Sequence, residues 1–283
     1  MLMFITPLVS KRYASDWERT SNHFAITLSS LHQQTNPDWK LMLIGSHLPD
    51  LPAALKEKVV FIEADLDIDT PGMRGRHEND KCRKLYRGFC ELHHLAPEFI
   101  MVLDHDDLIS TRLVEDVMQH ADIDGHILTK GYVYNEGHTY CRYSRRIDFR
   151  TDSNFVVRYR NELFPTETTQ FNPPPKGYWN WPFVECHKKK CDRLLDSLGM
   201  SHRKIPFPSV IYRRYASSLS RAYNQSQPDT DPHRVQLTAK QRYHDAIDVI
   251  KDRMLRRKIS PKLIREFGCD PEVGFDTLKN DTA

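Results

Sequence analysis

Phe99-Ile100-Met101-Val102-Leu103-Asp104-His105-Asp106-Asp107-Leu108 decides the fold: an apolar run of strand length stops at three carboxylates. From Phe99 to Leu103 neither face carries a polar side chain, the pattern of a strand covered on both sides, as in a parallel sheet flanked by helices. Three like charges at one strand end repel one another. In open α/β sheets ligands bind at the carboxyl ends of strands, and carboxylate clusters suit hard cations such as Mg2+ or Mn2+ that also take substrate phosphates. The competing reading is a polar turn whose aspartates cap the next helix.

Upstream, Met1 to Pro7 reads as a buried strand rather than a secretory leader, since it lacks a basic start and is interrupted by Pro7. Asp16 opens a stretch in which Trp17, Phe24, Leu28 and Leu31 recur at helical spacing, broken at Asn36-Pro37-Asp38. Leu41 to Ile44 and Val59 to Ile62 read as further strands, and Asp80 to His94 as a helix. After the aspartates, Ser110 or Thr111 is expected to cap a helix bearing Leu113, Val114, Val117 and Met118. The first 120 residues therefore alternate strand and helix.

Downstream the pattern loosens. Gly131 to Tyr143 suggests strands, Thr166 to Trp181 a long irregular loop of the kind that lies over clefts, and Cys191 to Leu198 a helix stopped at Gly199. Asn224 to Pro232 reads as a linker, followed by a helical stripe of Tyr243, Ile247, Ile250 and Met254 and a short helix from Ser260-Pro261 to Gly268. The resulting division is a main domain over 1–223, with halves 1–120 and 121–223, and an appendage of linker and helices over 224–283.

The chain has 283 residues, 39% hydrophobic and 28% charged, with 41 Lys+Arg against 38 Asp+Glu. A formal charge of +3 excludes a nucleic-acid-coating protein and an acidic disordered tail. No apolar run approaches the ~20 residues that cross a bilayer. Six cysteines without a C-x-x-C pair read as reduced thiols, hence a cytoplasmic chain. Neither glycine-rich phosphate cradle is present, so any phosphate must be held another way.

Several ordered pieces resemble the inverting nucleotide-sugar glycosyltransferases with the GT-A fold, especially family-2 and bacterial rhamnosyltransferase-like members. Phe4-Ile5-Thr6-Pro7 is similar to the family's opening strand, Leu28-Ser29-Ser30-Leu31-His32-Gln33-Gln34-Thr35 to its helix end, and Pro97 to Asp107 to its D-x-D strand. The resemblance covers about residues 1 to 120, with weaker likeness at Ile211-Tyr212-Arg213-Arg214 and Ser217 to Ser220. It implies a Rossmann-like, mostly parallel sheet with nucleotide-binding and acceptor halves. It also implies transfer of a sugar from a nucleotide diphosphate donor to a glycan or lipid-linked acceptor, in polysaccharide or lipopolysaccharide synthesis. By position in the motif, Asp106 and Asp107 would hold Mn2+ or Mg2+, Asp104 would orient the ribose or support the metal, and Thr6, Pro7 and Arg12 would lie beneath the nucleotide. The late histidine many relatives offer to the metal is replaced by Arg213-Arg214-Tyr215, either arginine of which could clamp a diphosphate.

Lys81 and Lys84, about a turn apart near a helix start, are further phosphate candidates, against the plain reading of a solvated basic face. Glu185, within Trp181-Pro182-Phe183-Val184-Glu185, is the candidate general base, with Glu167 behind it; the family's Glu-Asp base motif is not visible. Asp65 to Asp69 fails as a calcium loop because Arg76 stands where a bidentate Glu is required. Arg256-Arg257-Lys258 reads as a solvated face, with peripheral membrane contact at the inner leaflet through the C-terminal helices as the alternative. The rival functions are a haloacid-dehalogenase-like phosphohydrolase, in which the first aspartate would be a nucleophile, and a non-catalytic sugar-nucleotide-binding protein.

Overall fold

Strand β1 (Leu2–Pro7) is buried at all six positions, and its alternating side chains explain why. Leu2 and Phe4 point to one side of the sheet and Met3 and Ile5 to the other, each into a separate apolar cluster. The computed structural model describes residues 1–12, 14, 16–64, 76–165, 191–215, 254–271 and 275. β1 pairs in parallel with β2 (Trp39–Gly45) on one side and β4 (Phe99–Val102) on the other, Ile5 lying opposite Met42 and Val102. β3 (Val59–Glu63) extends the parallel run beyond β2.

Past β4 the sheet changes character. β9 (Phe155–Arg158) runs antiparallel to both β4 and β6 (Gly125–Ile127), and β10 (His202–Lys204) closes the edge parallel to β6, giving the order β10-β6-β9-β4-β1-β2-β3. The expected mostly parallel α/β sheet is thus present, with one reversed strand that the sequence reading did not identify.

Helix α1 (Trp17–His32) starts where Asp16 accepts the Arg19 N–H at 2.9 Å, and buries Phe24, Leu28 and Leu31 against Leu2, Phe4, Leu41 and Leu43. Helix α2 (Arg76–Leu95) covers the opposite face, packing Leu85, Phe89 and Leu92 on Met3, Ile5, Met42 and Ile44. Each such fully buried side chain contributes about 1.5–3 kcal/mol relative to exposure. Two covered faces are what the apolar β4 sequence requires.

Immediately after the aspartates the chain enters a second sheet. β5 (Leu108–Ile109) pairs antiparallel with β11 (Val210–Arg214), which runs parallel to β7 (Gly131–Asn135); β8 (Tyr140–Ser144) and β12 (Arg256–Lys258) complete the order β12-β8-β7-β11-β5. Asp104 to Asp107 therefore span the crossover between two sheets. Helix α3 (Leu113–Gln119) follows without the expected cap: no side chain caps it from Arg112, and the Ser110 hydroxyl instead donates to Glu266 at 2.8 Å.

Helix α4 (Cys191–Ser197) ends before Gly199, whose φ of +63° is the left-handed conformation glycine tolerates. The described part of the C-terminal segment returns to the main body. Arg256–Lys258, read above as a solvated face, pairs with β8 while its side chains stay exposed. Helix α5 (Pro261–Glu266) is capped by Ser260, and its Ile264 and Phe267 pack with Ile26 of α1. Gly268 has φ +65°, and a Cβ there would stand 2.8 Å from Ser30 Cα, so glycine lets α5 lie against α1. The stripe from Tyr243 lies, except for Met254, outside the described residues, as do Thr166 to Trp181 and Asp65 to Asp69.

Candidate active site

The aspartates sit where β4 has ended and β5 has not begun. Asp107 N–H donates to the Asp104 carbonyl at 3.2 Å, closing a tight turn. Asp107 is wholly buried; Thr151 Oγ1 donates to its Oδ2, while its Oδ1 has no hydrogen-bond partner. Burial first, then the neighbouring Asp104 and Asp106, push the Asp107 carboxyl well above the usual carboxylate range. The Asp106 carboxyl is half-buried and makes no hydrogen bond among the described residues.

Asp104 is arranged differently. The Lys81 ammonium lies 2.5 Å from Asp104 Oδ1 and 2.7 Å from Asp152 Oδ2, bridging the two carboxylates. Burial raises the Asp104 carboxyl, Lys81 opposes that rise, and Asp152 and Asp106 add to it. For Lys81 burial works to lower the ammonium, but Asp104 and Asp152 outweigh it and hold it well above its ordinary value.

The opposite wall of the site is a segment the sequence reading missed. Thr151, Asp152 and Ser153 precede β9: Thr151 bonds Asp107, Asp152 shares Lys81, and Ser153 Oγ accepts the Asp104 N–H at 2.9 Å. Its signal was available in principle, since Thr151-Asp152-Ser153-Asn154 abuts the apolar run Phe155-Val156-Val157 much as the aspartates abut β4. The reversed direction of β9 brings that polar end beside them.

The remaining candidates divide. Thr6 and Pro7 end β1 on the same edge, Leu103 N–H bonding Ile5 O at 3.0 Å, and Thr6 Oγ1 is buried without a partner. Arg12 is exposed in the turn beyond β1. Lys84 does not face the site: it is wholly buried, its ammonium donating to Leu8 O at 2.5 Å, Ser10 Oγ at 2.9 Å and Asp80 Oδ2 at 2.7 Å. It pins the loop after β1 to α2. Arg213 is likewise spent on backbone, donating to Asp106 O at 2.7 Å, Phe275 O at 2.9 Å and His23 O at 3.3 Å. Because side chains alternate along β11, Tyr212 and Arg214 share the other face. The Tyr212 phenol is pushed up to about 12 by burial and then by Asp107 and Asp106, which places that face beside the aspartates. Glu185 and Glu167 lie outside the described residues.

Among the described residues no three His, Cys, Asp or Glu side chains converge as a ready metal cage. Cys82, Cys90, Cys141, Cys191 and Cys269 are buried and form no disulfide among the described residues, and burial pushes the Cys141, Cys191 and Cys269 thiols to about 12. Such thiols are poor nucleophiles. No helix of the described residues is long and apolar enough to cross a membrane.

A sheet whose central strand ends in aspartates, at a crossover into a second sheet, is the frame expected of a GT-A-like glycosyltransferase. Residues 9–156 match the family described as "Putative rhamnosyl transferase", more than half of the chain, and the protein belongs to that family. The match spans α1 through the first half of β9, including the aspartates and Thr151 to Ser153. Among solved structures, the crystal structure of S. aureus TarS 1-349 aligns at 12% identity and TM-score 0.42, over 75% of this chain and 60% of that one. The crystal structure of S. aureus TarS aligns at 13% identity and TM-score 0.39, over 75% of this chain and 36% of that one. The chain thus covers less than two thirds of either TarS chain. No curated protein matches. Family membership sets aside the phosphohydrolase alternative.

Proposed function

We propose that the protein transfers a sugar, with inversion, from a nucleoside diphosphate donor to an acceptor hydroxyl, at the crossover between the two sheets, and that it needs Mn2+ or Mg2+. The observation that carries this reading is Asp107: a fully buried carboxyl with one oxygen unpartnered, beside an Asp106 carboxyl that makes no hydrogen bond among the described residues. Buried polar groups left unpaired are rare and cluster at working sites. The donor set fits a cation that takes one or two carboxylates and completes its shell with substrate phosphates and water, which is how Mg2+ and Mn2+ bind in phosphate-handling sites. Asp106 and Asp107 would hold the ion, and it would supply charge neutralisation on the leaving diphosphate.

The chain's own groups account for the rest. Lys81 holds Asp104 and Asp152 in place, so Asp104 is set at the strand end to meet the donor rather than free to swing toward a cation. Arg214, on the Tyr212 face, is the better-placed of the two arginines to meet a diphosphate, since Arg213 has its donors on carbonyls. Arg213 instead fixes the Asp106 backbone. Glu185 remains the candidate base for the acceptor proton, and the glycan or lipid-linked acceptor stays part of this proposal.

The test is a thermal-shift series with UDP, GDP and dTDP, each with and without Mn2+. A nucleotide at ~100 times its Kd adds about 2.7 kcal/mol to the native state. A Mn2+-dependent rise with one nucleotide, lost in Asp106→Asn and Asp107→Asn, is the expected result. Equal shifts in both variants and the wild type would refute the assignment.

A further inference from the structure

Beside the aspartate turn, on the α1 side, lies a cavity of about 390 Å³ lined by Asp16, Glu18, Arg19, Asn22, His23 and Glu136. Its volume falls at the lower end of the ~300–1,000 Å³ typical of small-molecule clefts. Its walls are firm. Asp16 caps α1, Arg19 forms an ion pair with Glu136 just beyond β7, and the His23 ring stacks on Tyr215 with centroids 3.6 Å apart.

His23 is the informative residue. It is more than nine-tenths buried, at 8% exposure, yet neither ring nitrogen makes a hydrogen bond among the described residues; Nε2 is 4.0 Å from Glu136 Oε1, beyond hydrogen-bond reach. Burial, then Arg213, His105 and Arg19, lower this imidazole to about 3, so it is a neutral donor and acceptor lining a polar cavity, its ring nitrogens unbonded among the described residues. The cavity also adjoins the reaction centre. One guanidinium, that of Arg213, bonds both the His23 carbonyl and the Asp106 carbonyl, and Thr27 Oγ1 bonds both His23 O and His105 O. The wall of the cavity and the aspartate turn are two sides of one hydrogen-bonded seam.

We propose that this cleft is the acceptor subsite and that it takes an uncharged saccharide hydroxyl face rather than a phosphorylated lipid carrier. Three carboxylates, one guanidinium, an amide and a neutral imidazole line it, the mixture of donors and acceptors that ring hydroxyls satisfy. The sole guanidinium is already paired with Glu136, and the remaining carboxylates repel phosphate. This inference rests on the glycosyltransferase reading above and narrows its acceptor to the glycan class.

The test uses the full-length protein and saturation-transfer NMR with the methyl glycosides of glucose, galactose, mannose, rhamnose and N-acetylglucosamine, and with farnesyl phosphate as the charged-lipid probe. Asn22 is exposed on α1, so Asn22→Trp fills the cleft without touching the sheet core; Glu18→Ala, also exposed, removes one carboxylate. The expected result is that at least one methyl glycoside binds the wild type, is weakened at least about tenfold in N22W and less in E18A, and is not displaced by farnesyl phosphate. No binding by any glycoside, equal binding in N22W, or displacement by farnesyl phosphate overturns the subsite. The thermal shift with nucleoside diphosphates and Mn2+ is measured in the same variants. Its absence from the wild type would count against the donor reading, whereas its persistence in N22W alongside unchanged glycoside binding would count against the acceptor subsite alone.

Discussion

Replacing Asp107 by asparagine in metal-free protein should make the fold more stable at neutral pH. The carboxylate is wholly buried and faces Asp104 and Asp106; Thr151 bonds its Oδ2, the Ser153 hydroxyl also favours the charged form, and Oδ1 has no hydrogen-bond partner. Folding must either bury this group as a poorly paired ion or protonate it above its ordinary pKa, and either course costs several kcal/mol, of which a hydrogen bond to the charged form returns about 1.5–3 kcal/mol. Asparagine keeps the shape and a neutral bond of about 1 kcal/mol, and strands an amide group at about 1–3 kcal/mol. The difference is about 2 kcal/mol in favour of the variant, or about 4 °C in Tm for a chain of this size. The sign with pH follows from the raised carboxyl: the protonated form is favoured in the fold, so its stabilisation is complete below the ordinary carboxylate pKa of about 4 and is lost as pH rises through the raised value. Wild type should therefore gain on the variant as pH falls from about 8 to about 5. Thermal unfolding in EDTA over that range is the assay. An N variant less stable than wild type at the alkaline end, or a gap of constant size, would refute the reasoning and make Asp107 an ordinary structural turn residue.

Lys81→Met leaves Asp104 and Asp152 facing each other without their ammonium. Because Lys81 is 28% exposed, the cost is discounted from that of a buried pair to about 1–3 kcal/mol, and it should shrink as pH falls and the carboxylates protonate; a Tm deficit that does not depend on pH would contradict the bridge. Lys84→Met, by contrast, breaks a fully buried pair with Asp80 and removes the ammonium from Leu8 O, while Ser10 Oγ keeps only its bond to Asp80, so a loss of about 3–5 kcal/mol is expected in chemical denaturation. A change below about 1 kcal/mol would mean that Lys84 is not the pin described above.

Two lysines a turn apart on one helix thus have different functions, and the reason they could not be told apart in the sequence is geometric. Positions 81 and 84 differ by a rotation of about 60° around α2, enough to aim one at the strand end and the other at the loop after β1. Periodicity places them on one side of a helix but does not say which neighbour each meets. The first half of the main sheet was legible because its strands are apolar runs of four to seven residues joined by capped or broken helices. The second sheet was not, because β5 has two residues and pairs with a strand a hundred positions away, and β12 pairs across a similar gap. Propensity carries little information in a strand that short, where tertiary pairing decides.

The aspartate cluster was legible in the sequence, and of its competing reading the turn is present while the helix cap is not. Asp107 N–H does close a turn on Asp104, and no helix cap is involved. The turn is what makes the cluster, since it sets Asp104 against Lys81 and buries Asp107. A purely structural turn at a sheet crossover would be better served by neutral or small residues, because a charge buried with an oxygen unpartnered weakens the fold it closes. The proposed cation, beyond Lys81, would offset the repulsion among the three carboxylates, and the stability gained by D107N would measure how much the fold gives up to keep them.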